Sequence, residues 1–255
     1  MHRFYLPANE SQGTTLTLTD REAHHSAQVL RVRTGETVVV LDGAGHELIC
    51  DIEFVSKKSV TLFVREKKFT PPLPYQITLL QAIPKGKIIE SIMQKATELG
   101  VARIVPLLSE RVVTHLDTES SPEKLEKWQL TTIEAIKQCG QPWLPQVDAP
   151  LTPKEFLARG EKFDLPLVAS LQNDSRSPRE YFEKFETDKK RKPQSVCIWV
   201  GPEGDFSPAE MTEIKSAGTL PMTLGRLVLR CETAAIYGLS ILNYELSAPI
   251  FAGTN

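Results

Sequence analysis

The sequence is short of cysteine, short of long apolar runs and almost without net charge. Its four cysteines, Cys50, Cys139, Cys197 and Cys231, are scattered and form no CxxC pair, which argues against a disulfide framework or a thiolate metal site. The five histidines show no ligand spacing either, because His24 and His25 are adjacent and point to different faces of any regular element. No metal is expected. No apolar stretch approaches the roughly 20 residues that a membrane helix needs. The opening MHRFYLPANE lacks the basic-then-apolar order of a signal peptide. These absences suggest a reduced, cytoplasmic protein. A formal charge of −2 excludes a bulk positive field, so any nucleic-acid contact must rest on a local patch.

What is present is an ordinary globular composition over 255 residues, 41% hydrophobic and 24% charged. ETVVVLDG, HELICDIEFV and SVTLFVRE, within 36–66, are β-rich runs separated by turn residues, which predicts an antiparallel barrel or small sheet. DREAHHSAQVLRV, just before them, predicts a single helix with Ala23, Ala27 and Leu30 on one face. The prolines of KKFTPPLP (67–74) break regular structure and mark a domain boundary. Beyond it the rhythm changes. YQITLLQAI, ARIVPLLSE, LPLVAS, SVCIWV and MTLG predict strands. They alternate with helices at KIIESIMQKATELG, SPEKLEKWQLTTIEAIKQC, 208–217 and 232–246. Such alternation implies a parallel sheet covered on both faces. ETDKKRKPQS (186–195) reads as a solvated, charged loop.

GPEGDFSPAE (201–210) follows a strand and opens a helix. Ser207 suits the N-cap, Pro208 the first helical position and Glu210 the third, so a capping box closes the helix start. The loop is neither GxxxxGK[ST] nor GxGxxG. Glu203 and Asp205 would repel a triphosphate, since like charges about 4 Å apart cost about 4 kcal/mol at an effective dielectric near 20. The loop suits a ligand that is cationic or neutral at the point of contact. LGRLVLRCETAAIYGLSILNYEL (224–246) is the second such stretch. Gly225 permits close backbone approach, Arg226 and Arg230 end a short strand, and Leu239, Leu242 and Leu246 follow a helical core face. Both stretches lie at the carboxyl ends of strands, where open parallel sheets bind ligands.

GPEG-x-F-S-x-x-E followed about twenty residues later by LG-x-x-V-LR-x-ETA resembles the C-terminal signature of SPOUT methyltransferases, and most closely that of the RsmE type. RFYLP (3–7), HSAQVLR (25–31) with its following TGE, and KGKIIESIMQKATELGVARIVPLLSERVV (85–113) are similar to that family's remaining motifs, in the same order. The chain departs from the pattern at Asp205, where the family usually has a second glycine, and at Gln141, where an arginine is common.

The resemblance implies a PUA-like RNA-binding domain over 1–70 and a SPOUT methyltransferase domain over 75–255, with a deep trefoil knot in an α/β fold. It implies S-adenosyl-L-methionine as cofactor, N3 of one uridine in 16S ribosomal RNA or the small subunit as target, and a homodimer. By carry-over the cofactor lies among three loops: Leu171 and Gln172 after Ser170; Gly201, Pro202, Glu203 and Gly204; and Leu224, Gly225, Leu227 and Leu229. Arg230 would stabilise the deprotonated uracil and Glu203 would act as base; a salt bridge to Glu232 or to the partner subunit, and the bonding of turn amides, are their structural alternatives. Arg3, His25, Arg31, Lys85, Lys87, Lys95 and Arg111 match the RNA-contact positions, against a plain solvated or packing role for each. Residues 1–70 carry nine Lys/Arg and nine Asp/Glu, so sidedness would decide binding. Two rival functions stay open at this level: a catalytically silent RNA-binding or ribosome-assembly protein, and a ribose 2′-O methyltransferase.

Overall fold

A computed structural model of the chain describes residues 1–86, 88–111 and 121–247. The chain divides into two units, one of residues 1–72 with 133–144 and one of 73–132 with 145–255.

The first unit is a five-stranded sheet in the order β1-β3-β4-β5-β2, from β1 (Arg3–Tyr5), β2 (Thr15–Leu18), β3 (Thr37–Leu41), β4 (His46–Val55) and β5 (Val60–Phe69). All pairings are antiparallel except β1 with β3. Alternation does the sorting: Val38 and Val40, Leu48, Cys50 and Ile52, and Val60 and Leu62 point into one core with Phe4, Leu16 and Leu18. β5 runs on to Phe69, so the proline break begins later than KKFTPPLP suggests. The expected single helix is also different. α1 (Asp20–His24) passes into a wider π-helical turn over His25–Leu30, which ends at Arg31 in the left-handed region (φ 56°). Ser26, not Ala27, is the buried residue there, and its hydroxyl donates to the Ala23 carbonyl at 2.9 Å.

Residues 133–144, which the sequence reading places in the second domain, belong to the first unit because backbone and side chains hold them there. The Gly45 amide donates to the Pro142 carbonyl and the Leu144 amide to the Gly43 carbonyl, both at 3.0 Å. The Trp143 indole N–H reaches the Thr70 carbonyl at 2.9 Å. Pairing of this kind follows backbone geometry and leaves no periodic trace.

The second unit is an all-parallel six-stranded sheet. Its order is β11-β9-β10-β6-β7-β8, from β6 (Gln76–Ala82), β7 (Arg103–Leu107), β8 (Gln146–Val147), β9 (Leu165–Ala169), β10 (Ser195–Val200) and β11 (Leu220–Met222). The helices are α2 (Ile88–Glu98), α3 (Ser121–Cys139, whose last seven residues count with the first unit), α4 (Pro153–Ala158), α5 (Pro178–Lys189), α6 (Pro208–Ser216) and α7 (Cys231–Leu246). β10 shows why its sequence is apolar throughout. Val196, Ile198 and Val200 face a core shared with Met93 of α2 and Leu239 of α7, while Cys197 and Trp199 face a second core with Phe156 and Met211. α7 crosses β10 at Gly238, where an added Cβ would lie 2.5 Å from Ile198 Cδ1.

The last strand is Leu220–Met222 and not MTLG, which leaves Thr223–Gly225 free to turn. Gly225 has φ 110°, open only to glycine at low cost, and its amide is held by Thr223 Oγ1 at 3.1 Å. The supposed loop at 186–195 is helical up to Lys189 and then anchored. Arg191 forks onto Asp164 at 2.8 and 2.9 Å, and Lys192 donates to the Glu245 carbonyl at the end of α7. A cation there offsets the negative end of the helix.

Candidate functional site

The carboxyl ends of β9, β10 and β11 open onto one cleft of about 100 Å³. Three loops surround it: Ala169–Leu171, Val200–Asp205 with Gly204 outside the lining, and Leu224–Leu229, with Ala234 of α7 closing one side. The lining is mostly apolar. Among the described residues, its two charged members are the acids Glu203 and Asp205, and no Lys or Arg lines it.

The middle loop is shaped by its own side chains. The Asp205 amide donates to the Pro202 carbonyl at 2.9 Å, and Asp205 has φ 60°. Glycine takes this left-handed conformation most readily, and aspartate tolerates it better than most residues because its carboxylate bonds locally. Here Oδ1 accepts the Phe206 amide at 2.8 Å. That accounts for Asp205 standing where a second glycine was expected. Gly201 meets a steric demand: a Cβ would lie 2.9 Å from Asp205 Oδ1 and 3.2 Å from its Cα.

The capping box at α6 forms as the sequence predicts, with Ser207 Oγ accepting from the Glu210 amide. Glu210 does more than cap. Its buried carboxylate also accepts from Ser109 Oγ and from the Glu110 amide, each at 2.9 Å, which pins the end of β7 beside the loop. Arg111 follows at once and donates to the Gly204 carbonyl. Glu203 Oε1 accepts the Lys85 amide at 3.2 Å, tying the β6–α2 connection to the same loop. Burial pushes the Cys231 thiol up to about 12, helped by its hydrogen bond to Glu232 and the charges of Glu203 and Glu232. It stays protonated and is no nucleophile.

Two family models match this chain: an RNA methyltransferase domain over residues 71–243 and an RNA methyltransferase PUA domain over 18–65. A ribosomal RNA small subunit methyltransferase E from Synechocystis is 32% identical, covering 92% of this chain and 74% of that protein. The chain belongs to the ribosomal RNA small subunit methyltransferase E family. Two solved structures are similar to it over 95% of its length and 96% of theirs. One is a putative methyltransferase from Legionella pneumophila in complex with bound SAM, with 35% identity and a TM-score of 0.86. The other is the family enzyme of Neisseria gonorrhoeae bound to S-adenosyl methionine, with 30% identity and a TM-score of 0.83.

Of the positions that the resemblance assigns to cofactor, Leu171, Gly201, Pro202, Glu203, Leu224, Leu227 and Leu229 line the cleft of this family member. Gly204, Gly225 and Gln172 belong to the same loops but not to the lining. Gln172 turns its Oε1 to Lys215 Nζ, 2.6 Å away, and Lys215 also bonds Asp174. Leu171 is exposed, not core. Val200, Asp205, Val228 and Ala234 line the cleft without having been assigned to it; the motif spacing marks loops but not which of their atoms turn inward.

Arg230 is the N-cap of α7, exposed, and among the described residues its guanidinium makes no ion pair; the bridge to Glu232 is not formed. The positions matched to RNA contact scatter. Arg3 donates to the Lys137 and Gln138 carbonyls at the end of α3, a helix-capping role. His25 is half-buried at the start of the π-helical turn, and Arg31 is exposed at its end. Lys85 is exposed beside the cleft loop, whereas Lys95 pairs with Glu98 on α2 at 2.9 Å. Lys87 lies outside the described residues. Among those described, no group of three or more His, Cys, Asp or Glu is placed to hold a metal, and no helix is long and apolar enough to cross a membrane.

Proposed function

We propose that the chain methylates N3 of a uridine in 16S ribosomal RNA, in the cytoplasm, using S-adenosyl-L-methionine. The observation that carries this reading is the convergence of three strand-end loops on one apolar, acid-rimmed cleft in a member of this family. S-adenosyl-L-methionine supplies an electrophilic methyl on a cationic sulfur. The cleft fits it: Leu171, Leu224 and Leu227 offer apolar surface to a neutral ring, and Glu203 and Asp205 give a negative rim that a cation tolerates and a phosphate does not.

Uracil N3 is a poor nucleophile until it loses its proton, so a general base that takes the proton, or a cation that stabilises the ring as the proton passes to water, must sit against it. Arg230 is that cation here, its guanidinium being exposed at the head of α7 next to the cleft residue Leu229. Glu203, already bonded to the Lys85 amide, acts first as a brace for the loop, and a base role is secondary. The C-terminal segment threads through the loops as a trefoil knot, and the chain works as a homodimer. Supporting the dimer, Tyr237 and Tyr244 on α7 and Leu227 and Val228 beside the cleft are exposed apolar side chains. RNA is positioned through Arg31, His25, Lys85 and Arg111.

Nucleoside mass spectrometry of treated 16S RNA tests the reaction, because base and ribose methylation fragment differently. Arg230→Ala should lower turnover by about 100-fold or more while changing S-adenosylhomocysteine affinity by less than about threefold. Undiminished turnover removes Arg230 from the mechanism. A monomer by light scattering at working concentration removes the dimer.

A further inference from the structure

Gln81 is the penultimate residue of β6 and is fully buried. Its Nε2 donates to the Ala82 carbonyl at 2.9 Å. Among the described residues, its Oε1 is the one buried side-chain polar atom without a hydrogen-bond partner. An acceptor left dry costs stability that an apolar side chain of similar length would not cost.

Its position points to a partner. Gln81 and Val200 are register neighbours on adjacent parallel strands, so their side chains leave the sheet on the same face. Val200 lines the cleft. Just past Gln81 the chain turns so that the Lys85 amide reaches Glu203 of the cleft loop. The three cleft loops follow β11, β9 and β10, and β6 lies on the other side of β10. Gln81 itself lies outside the lining, one strand beyond Val200.

We infer that Gln81 Oε1 accepts a hydrogen bond from the α-ammonium at the amino-acid end of the cofactor, which makes Gln81 a cofactor-positioning residue. The inference rests on S-adenosyl-L-methionine being the ligand of the cleft. Of the two cationic groups in that molecule, the sulfonium has no N–H to donate and the ammonium has three. A neutral carbonyl oxygen is also the suitable acceptor for a site that must empty after each turnover. Once the ligand leaves, it strands a dipole rather than a buried charge.

Gln81→Met keeps the length of the side chain and removes the acceptor. Calorimetric titration of the full chain with three probes reads the effect: S-adenosylhomocysteine, its decarboxylated analogue, and 5′-methylthioadenosine. The first two keep the ammonium and the third lacks it. The variant should bind the first two about tenfold or more weakly and the third within about twofold of the unsubstituted chain. Its thermal midpoint without ligand should be unchanged or higher. Equal weakening of all three probes, or unchanged S-adenosylhomocysteine binding, overturns the role of Gln81. If the unsubstituted chain binds none of them, the reading of the cleft itself fails, and this inference with it.

Discussion

Gly201→Ala is the sharpest probe of how the cleft is built. The new methyl would stand 2.9 Å from Asp205 Oδ1 and 3.2 Å from both Asp205 Cα and the Phe206 nitrogen. Rotating the Asp205 carboxylate away relieves only the first contact, and it breaks the bond to the Phe206 amide. That bond has a charged acceptor and is worth about 1.5–3 kcal/mol. Overpacking against the two backbone atoms costs about 1–3 kcal/mol. The two terms share atoms and do not simply add, so about 2–4 kcal/mol is the working figure. If the loop must keep this shape to bind, S-adenosylhomocysteine affinity should fall by about 30- to 700-fold in calorimetry. Adding Asp205→Gly removes the carboxylate and gives the left-handed position (φ 60°) to the residue that takes it most readily. The double variant should recover about tenfold of the loss. Wild-type affinity in Gly201→Ala, or no recovery in the double variant, would refute the reasoning.

Two further predictions concern the frame behind the cleft. Gly238→Ala drives a methyl to within 2.5 Å of Ile198 Cδ1 and should cost about 1–3 kcal/mol in urea denaturation. Ile198→Val removes that carbon, so the double variant should be more stable than Gly238→Ala alone; simple addition of the two losses would show that α7 is not held at this contact. The hydrogen bond from Arg191, with those from the Gln194 and Ser195 amides, holds the Asp164 carboxyl at about 2, below its unfolded value of about 3.9. A depressed carboxylate stabilises the fold above its unfolded pKa and loses that contribution as pH falls through the folded one. Denaturation curves of the unsubstituted chain should therefore drop more steeply between about pH 4 and pH 2 than those of Asp164→Asn. Parallel curves across that window would contradict the pairing.

The sequence reveals most where structure is local or periodic. The apolar run of β10 announces a strand buried on both faces, Ser207-Pro208 with Glu210 announces a helix start, and turn residues separate β3, β4 and β5. The two motif loops could also be placed at strand ends, because alternating strands and helices imply a parallel sheet. Three features escaped for different reasons. The π-helical turn at His25–Leu30 differs from an α-helix by one residue in its hydrogen-bond spacing, too little for an apolar pattern to register. The strand before Gly225 was placed two residues late, since Thr223 and Leu224 suit a strand and a turn equally. Arg3 looks like any surface cation until the carbonyls at the end of α3 lie against it.

Composition and order along the chain were enough to determine a β-rich unit followed by an α/β unit, and the loops in which a ligand should be sought. Those properties depend on side chains a few residues apart, and the chain carries that spacing wherever it folds. Tertiary structure alone decided that Asp205 takes a left-handed φ, that Arg111 and Glu203 brace the cleft loop, and that Gln81 is buried with an oxygen unpaired. Each of these depends on atoms that meet only once strands distant in sequence lie side by side, and no spacing along the chain records such a meeting.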